Sequence, residues 1–447
     1  MGSSTDEVQL VQVLESSFVA PSEATPTKGL WLSPLDLMQA SRSHTPTVYL
    51  YRRTTSSAAA DDDDFFDVRR LKASLAKALV SFYPLAGRLG VDGNGRAEIS
   101  CNGDDGGALF VVARSDHLTV DDVTSIKPSP ELRRLVVPRI EPSSVIMGIQ
   151  VTFFKCGGVA IGAALHHAAI DASSAIHFFQ TWSAISRSGA VEMELEHPCH
   201  DRTLLQARSP PTVHPDALSV LSTNLTLMDP PAPIDNAVFA ISRDQVASLK
   251  LLCGGASTFC AVSALVWQCV CAVRRLPPDS EARLTFPVNI RRKVTPPLPD
   301  RYFGNALIRV CATGAAREIA GEEALAAVAR RIRGVIAETD DELVRSAIDY
   351  FEMEMTGTGG GARNSQMARG SLPETDIQII SWLGTPMYDA DFGWGSPQVM
   401  SRAESVRGGF VYIMSDDGAG SGGGVRVLVS MEAENIKEME RLLYAKL

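Results

Sequence analysis

An excess of basic residues is missing. The 447 residues carry 42 Lys+Arg against 52 Asp+Glu, a net charge of −10 with histidine neutral. Nucleic acid is therefore excluded as the main partner, because phosphate backbones select a net basic face. A local basic patch toward a small phosphorylated co-substrate stays possible. Cysteine is sparse: eight residues, at 101, 156, 199, 253, 260, 269, 271 and 311, with no CxxC pair. That excludes a disulfide scaffold and fits a reducing, cytoplasmic setting. No basic segment followed by an apolar stretch opens the chain, so no signal peptide is expected. Asp6 stands where a myristoylation signal wants Ser or Thr. The longest apolar run, Val145 to Leu165, is broken by Gln150, Lys155 and the Gly157-Gly158 pair. It makes a poor membrane span, and no membrane partner is expected. No internal repeat occurs, which excludes a solenoid.

What is present is ordinary for a globular chain: 45 % hydrophobic and 21 % charged residues. The length exceeds what one core accommodates, so two domains are expected. Prolines at 198, 210, 211 and 215 interrupt a stretch with little periodicity. The boundary is placed there, giving a domain over 1–190, a crossover over 191–220 and a second domain over 221–447. The broken apolar run predicts a buried hairpin, 145–154 and 159–165, turning at Lys155 to Gly158. Val68, Leu71, Leu75, Leu79 and Phe82 recur at helical spacing. Helices are also expected after Asp171, over 256–274, and at about 321–338 and 341–353. Residues 57–64 and 356–371 read as loops.

Two segments carry chemistry. His166-His167-Ala-Ala-Ile-Asp171 follows an apolar strand and precedes a helix. Adjacent histidines at a strand end face opposite sides, one to the core and one toward a cleft. A neutral imidazole suits general-base work near pH 7. Asp391-Phe-Gly-Trp-Gly395 lies about 220 residues later. A kinase is excluded, because no glycine-rich loop or V-A-I-K strand accompanies the Asp-Phe-Gly. A metal is not expected either, since His197, Cys199 and His200 have no zinc-ligand spacing and no fourth ligand. The glycines at 357 and 359–361 follow no strand and precede no GK[ST], so they do not form a phosphate loop.

His167 to Asp171 and Asp391 to Gly395, in this order and spacing, resemble the plant BAHD acyl-CoA-dependent acyltransferases. Leu30–Leu37, His44–Tyr51, Phe82–Leu89, Asp201–Leu205, Pro297–Asn305 and Leu442–Tyr444 extend the likeness along the chain, and its opening together with the block Phe82–Leu89 points to the hydroxycinnamoyltransferase-like subgroup. The resemblance implies an α/β fold of two chloramphenicol-acetyltransferase-like domains with the active site in a channel between them. It implies His167 as general base, acyl-CoA as a co-substrate rather than a bound cofactor, and a monomer. Asp171 would pair with Arg291 structurally, and Asp391, Gly393 and Gly395 would form a structural loop. Trp382, in Ile380-Ser381-Trp382, would donate to the thioester oxyanion. Thr45, Thr47 and Tyr49 would meet the acceptor, and Ser257, Thr258, Arg291 and Arg292 the CoA.

Departures from the family pattern bear on the acceptor. Ile380 replaces the threonine two residues before the tryptophan, and Gly384 an arginine after it. Arg369 is the nearest match to the arginine that grips a shikimate carboxylate, but its loop is about two residues shorter. A buried ammonium would want a carboxylate, for which Glu352, Glu354 and Asp376 are candidates. The expectation is a hydroxycinnamoyl group passed to an amine such as putrescine, agmatine or a larger polyamine. Transfer to shikimate, quinate or glycerol is the alternative. A thioesterase and a silent binding protein are the contrasting classes.

Overall fold

The computed structural model describes residues 10–53, 65–102, 106–188, 196–215, 217–221, 226–355, 370–418 and 422–447. The N-terminal half supplies β1 (Gln12–Val19), β2 (Leu30–Trp31), β3 (His44–Tyr51), β4 (Arg88–Val91), β5 (Ala97–Ser100), β6 (Ala108–Ser115), β7 (Met147–Phe154) and β8 (Val159–His166). The C-terminal half supplies β9 (Ile234–Ser242), β10 (Glu281–Asn289), β11 (Leu307–Ala315), β12 (Asp376–Trp382), β13 (Val399–Arg402), β14 (Phe410–Ser415) and β15 (Gly424–Glu432). One six-stranded sheet runs β1-β6-β7-β8-β3-β13 and another β11-β10-β12-β14-β15-β9. The remaining strands β2, β5 and β4 form a small sheet of three.

The interrupted apolar run is the antiparallel hairpin β7–β8, with Met147 opposite Leu165 and Phe153 opposite Val159. Gly157 takes φ +78° in the turn, a conformation that glycine adopts without strain. Both strands are buried almost throughout. Gly162 is needed for packing instead: a Cβ there would lie 1.7 Å from the carbonyl oxygen of Val136. Helix Val68–Ser81 is capped by Asp67, which accepts from the amides of Arg69 and Arg70, and it buries Leu71, Leu75 and Leu79. The helix Ala172–Ser188 packs on it; the Trp182 indole donates to the Leu71 carbonyl at 3.2 Å. Helix Thr258–Val273 is buried on nearly every side against the second sheet, as its largely apolar sequence requires.

The halves interlock. β13, from the C-terminal half, pairs antiparallel with β3, Val399 opposite Leu50 and Arg402 opposite Thr47, and so completes the first sheet. In return, Leu35 packs into the second core. The domain 221–447 drawn from the sequence is therefore not self-contained: residues 399–402 belong to the first sheet. A proline-rich linker is visible from composition, but a strand exchanged between sheets is not. The loop expected over 57–64 and most of that expected over 356–371 lie outside the described residues.

Candidate active site

A cavity of about 780 Å³ is walled by β3, the turn after β8, residues at the start of β11 and on β12, and the segment joining β13 to β14. That is the size of a small-molecule site. The strand register explains why these residues meet. β3 pairs with β8, His44 opposite His166 and Thr47 opposite Ala163, and with β13 on its other side. The sequence-predicted His167, Asp171, Thr45, Thr47, Tyr49, Ile380 and Trp382 all line the cavity.

His166 ends β8 and is buried, its ring edge-on to His44 at 5.0 Å between centroids. His167 is one residue beyond the strand and turns to the cavity, as alternation requires. Its Nδ1 is buried with no hydrogen-bond partner among the described residues. Burial, helped by repulsion from Arg42, pushes its pKa down to about 4. The ring is thus neutral and able to accept a proton at pH 7.

The turn bearing His167 is held from three directions. Asn305 Nδ2 donates to the His167 carbonyl at 2.9 Å and to Asp36 Oδ1 at 2.9 Å. Asp36 pairs with Arg202 at 3.1 Å in the interior, and Arg202 donates to the Ala169 carbonyl at 2.7 Å. These residues lie in sequence blocks singled out above, but their role there was not legible.

Asp171 accepts from Arg291 Nη1 at 2.7 Å and Nη2 at 3.0 Å, and from the amides of Ser174 at 3.0 Å and Ala306 at 3.1 Å. Burial alone would raise its pKa; the Arg291 charge and these donors outweigh it and hold the carboxyl below its usual range. Arg291 also donates to Ser174 Oγ and the carbonyls of Tyr302 and Gly304. With both terminal nitrogens bonded inside the fold and its position off the cavity wall, Arg291 braces the turn. The sequence does not count donors already committed inside the fold.

Asp391 Oδ1 accepts from the amides of Gly393 at 2.8 Å and Gly395 at 2.9 Å. Both glycines have positive φ, +106° and +102°, and a Cβ on Gly393 would lie 2.4 Å from Arg70 Nη2. Trp394 stacks on Phe66 at 4.8 Å beneath the Arg70 guanidinium. The loop closes on itself and on the first sheet, away from the cavity.

The acidic candidates are not on the cavity wall. Glu352 is taken by Arg96, which donates to both its oxygens at 2.7 and 3.0 Å. Asp376 begins β12, well short of Ile380, and accepts from Thr375. Glu354 also does not line the cavity. None of the three therefore faces an acceptor bound in this cavity. Arg369 lies outside the described residues. Gly384 forms the turn after β12 at φ +68°. Ser257 caps the helix Thr258–Val273 at an exposed surface, and Arg292 is exposed; neither they nor Thr258 line the cavity. What sequence reasoning missed is a group of arginines, Arg42, Arg309, Arg402 and Arg407, all on the wall. Arg42 sits two residues before the flagged His44 block, so its position was the available signal.

Four buried or half-buried histidines, His166, His167, His177 and His200, have pKa values pushed down to about 4 by burial. Between about pH 6.5 and 4 the unfolded chain binds more protons at these sites, so stability falls as pH falls through that window. Roughly 1–2 kcal/mol per histidine is expected to be lost by pH 5. Thermal scans at pH 7 and pH 5 should differ by about 10 °C in apparent Tm, with replacement of one of these histidines by an apolar residue shrinking the gap.

The sequence matches the transferase family over residues 9–445. The chain belongs to the BAHD acyl-CoA-dependent acyltransferases. Within that family it is an enzyme of the hydroxycinnamoyltransferase-like subgroup. It is 43 % identical over 453 residues to putrescine hydroxycinnamoyltransferase 1 of Oryza sativa subsp. japonica, covering 98 % of this chain and 99 % of that one. It is 35 % identical over 458 residues to shikimate O-hydroxycinnamoyltransferase of Nicotiana tabacum, covering 97 % and 99 %. The fold matches crystalline vinorine synthase with a TM-score of 0.74 at 23 % identity, covering 98 % of each chain. The acyltransferase thus has the two-sheet α/β architecture of that fold. No described helix is long and apolar enough to cross a membrane.

Proposed function

We propose that this acyltransferase moves a hydroxycinnamoyl group from its CoA thioester to an amine within one ternary complex. The observation that carries it is His167: a neutral, cavity-facing imidazole on a turn braced by Asn305, Arg202 and the Asp171–Arg291 pair. The acceptor nitrogen attacks the thioester carbonyl while His167 takes its proton. An imidazolium of low pKa then hands that proton to the departing thiolate, so no acyl-enzyme forms. Trp382, at the cavity end of β12, is our candidate oxyanion donor. Ser257, Thr258 and Arg292 are candidate contacts for the CoA phosphates outside the cavity. Holding both substrates together supplies most of the remaining rate.

Support for an amine comes from the rice relative named for putrescine and from Ile380, an apolar wall where a hydroxyl would serve a polyol. Ester formation to a hydroxy acid such as shikimate or quinate is the second reading, supported by the tobacco relative. All eight cysteines are free, which supports a reducing, cytosolic compartment; a monomer is part of the same proposal.

Purified enzyme is incubated with p-coumaroyl-CoA and putrescine, agmatine, spermidine, tyramine, tyrosine, 3-aminobenzoate, shikimate, quinate and glycerol, and products are read by mass spectrometry. An amide is expected. At subsaturating acceptor its rate should rise about tenfold per pH unit toward the amine pKa, because only the neutral amine attacks. A hydroxyl acceptor would give a plateau between pH 6 and 8, since His167 is already neutral there. Ester alone would overturn the amine, and free coumarate without any acceptor product would favour hydrolysis.

A further inference from the structure

Two acids line the cavity, and both are engaged: Asp171 by Arg291 and Glu404 by Arg133 at 2.6 Å. Four further arginines face the same space. Arg42 lies between the first short helix, Pro34–Leu37, and β3, Arg309 is on β11, Arg402 ends β13, and Arg407 lies between β13 and β14. Arg402 donates to the Glu404 carbonyl at 3.1 Å and its guanidinium sits 4.6 Å from the Tyr412 ring centroid. Arg42 and Arg407 have no carboxylate partner among the described residues. Guanidinium groups drawn together out of bulk water without counter-charge are costly, and an anion entering among them recovers that cost. The same field opposes a dication such as putrescine.

We infer that Arg42 and Arg407 form an anion subsite that selects an acceptor carrying a carboxylate: an amino acid or aminobenzoate, not a free polyamine. This rests on the proposed amine nucleophile and names its class more narrowly. An anionic oxygen group could also arrive as a CoA phosphate. The pantetheine arm, however, keeps those phosphates away from the thioester, whereas Arg42 leads into β3, whose His44 pairs with His166 next to His167, and Arg407 lines the same cavity as both. The acceptor carboxylate is therefore the occupant we assign. The two arginines come from opposite halves of the chain, so the subsite exists only when β13 is docked on β3.

The test compares acceptors that differ only by the carboxylate, tyrosine against tyramine and 3-aminobenzoate against aniline, with putrescine as the dication and shikimate against glycerol as hydroxyl controls. The full-length enzyme and its Arg42→Gln, Arg407→Gln and Arg42→Lys variants are used with p-coumaroyl-CoA. Each carboxylate-bearing amine is expected to exceed its partner in kcat/KM by tenfold or more. Arg42→Gln and Arg407→Gln should raise the acceptor KM at least fivefold with little change in kcat or in the thioester KM, and Arg42→Lys should restore part of it. Preference for putrescine or tyramine overturns the subsite while leaving the amine proposal standing. Turnover of shikimate but of no amine supports the subsite and overturns the amine. A rise confined to the thioester KM assigns the arginines to a CoA phosphate and overturns the inference. The wild-type acceptor pairs decide the matter even if a variant fails to fold.

Discussion

His167→Ala is expected to lower kcat by about 10²- to 10⁴-fold, the range a positioned proton acceptor contributes, while the KM values of both substrates change little. The substitution removes the base from a turn held by other groups: the Asn305 bond is to the backbone carbonyl of residue 167, not to the ring. The variant should therefore fold. Its stability at pH 5 should improve relative to the parent, because a ring whose pKa is held down to about 4 no longer resists protonation there. Steady-state kinetics with p-coumaroyl-CoA and the best acceptor, alongside thermal scans at pH 5 and 7, separate these effects. A variant that retained most of kcat would remove His167 from the mechanism.

Asp171→Ala should cost stability first and activity second. Arg291 would be left buried with its charge uncompensated, at about 3–5 kcal/mol. Two amides, of Ser174 and Ala306, would also lose their acceptor. Because Asp171 Oδ1 caps the start of the helix that follows the His167 turn, the imidazole loses its placement and kcat falls as well. The double replacement of Asp171 and Arg291 by apolar residues of similar volume should recover much of the stability lost by the single change, since no lone charge remains. It should not recover kcat, because the turn still lacks the helix cap and the Arg291 tie that Asp171 supplied. Denaturant titration of the single and double variants, paired with kinetics, tests both halves. A single variant as stable as the parent would mean the pair contributes nothing.

Much of this was legible in the residues themselves. The hairpin β7–β8 announces itself because apolar runs interrupted by Gly157-Gly158 have few alternatives. The helices over 68–81 and 258–273 follow from periodicity and from largely apolar content, with Asp67 and Ser257 in place to cap them. His167 was legible through alternation at a strand end, and Asp171 with Arg291 through the family likeness. Glu352 and Asp376 misled because a carboxylate near a flagged segment in sequence has no stated direction. The structure turns Glu352 to Arg96, outside the cavity.

The sequence by itself determined the family, the two-sheet class and the turn that presents His167 with its Asp171–Arg291 brace, because local patterns and short motifs encode them directly. Only the tertiary structure decided which charges face the substrate. Arg42 and Arg407 are 365 positions apart, and they share a wall only because β13 pairs with β3 and carries the β13–β14 segment across to the first sheet. Whether an arginine is a brace, like Arg291, or a cation with no carboxylate partner among the described residues, like Arg42, depends on which acceptors surround it in space. That is set by long-range pairing, which local patterning does not record.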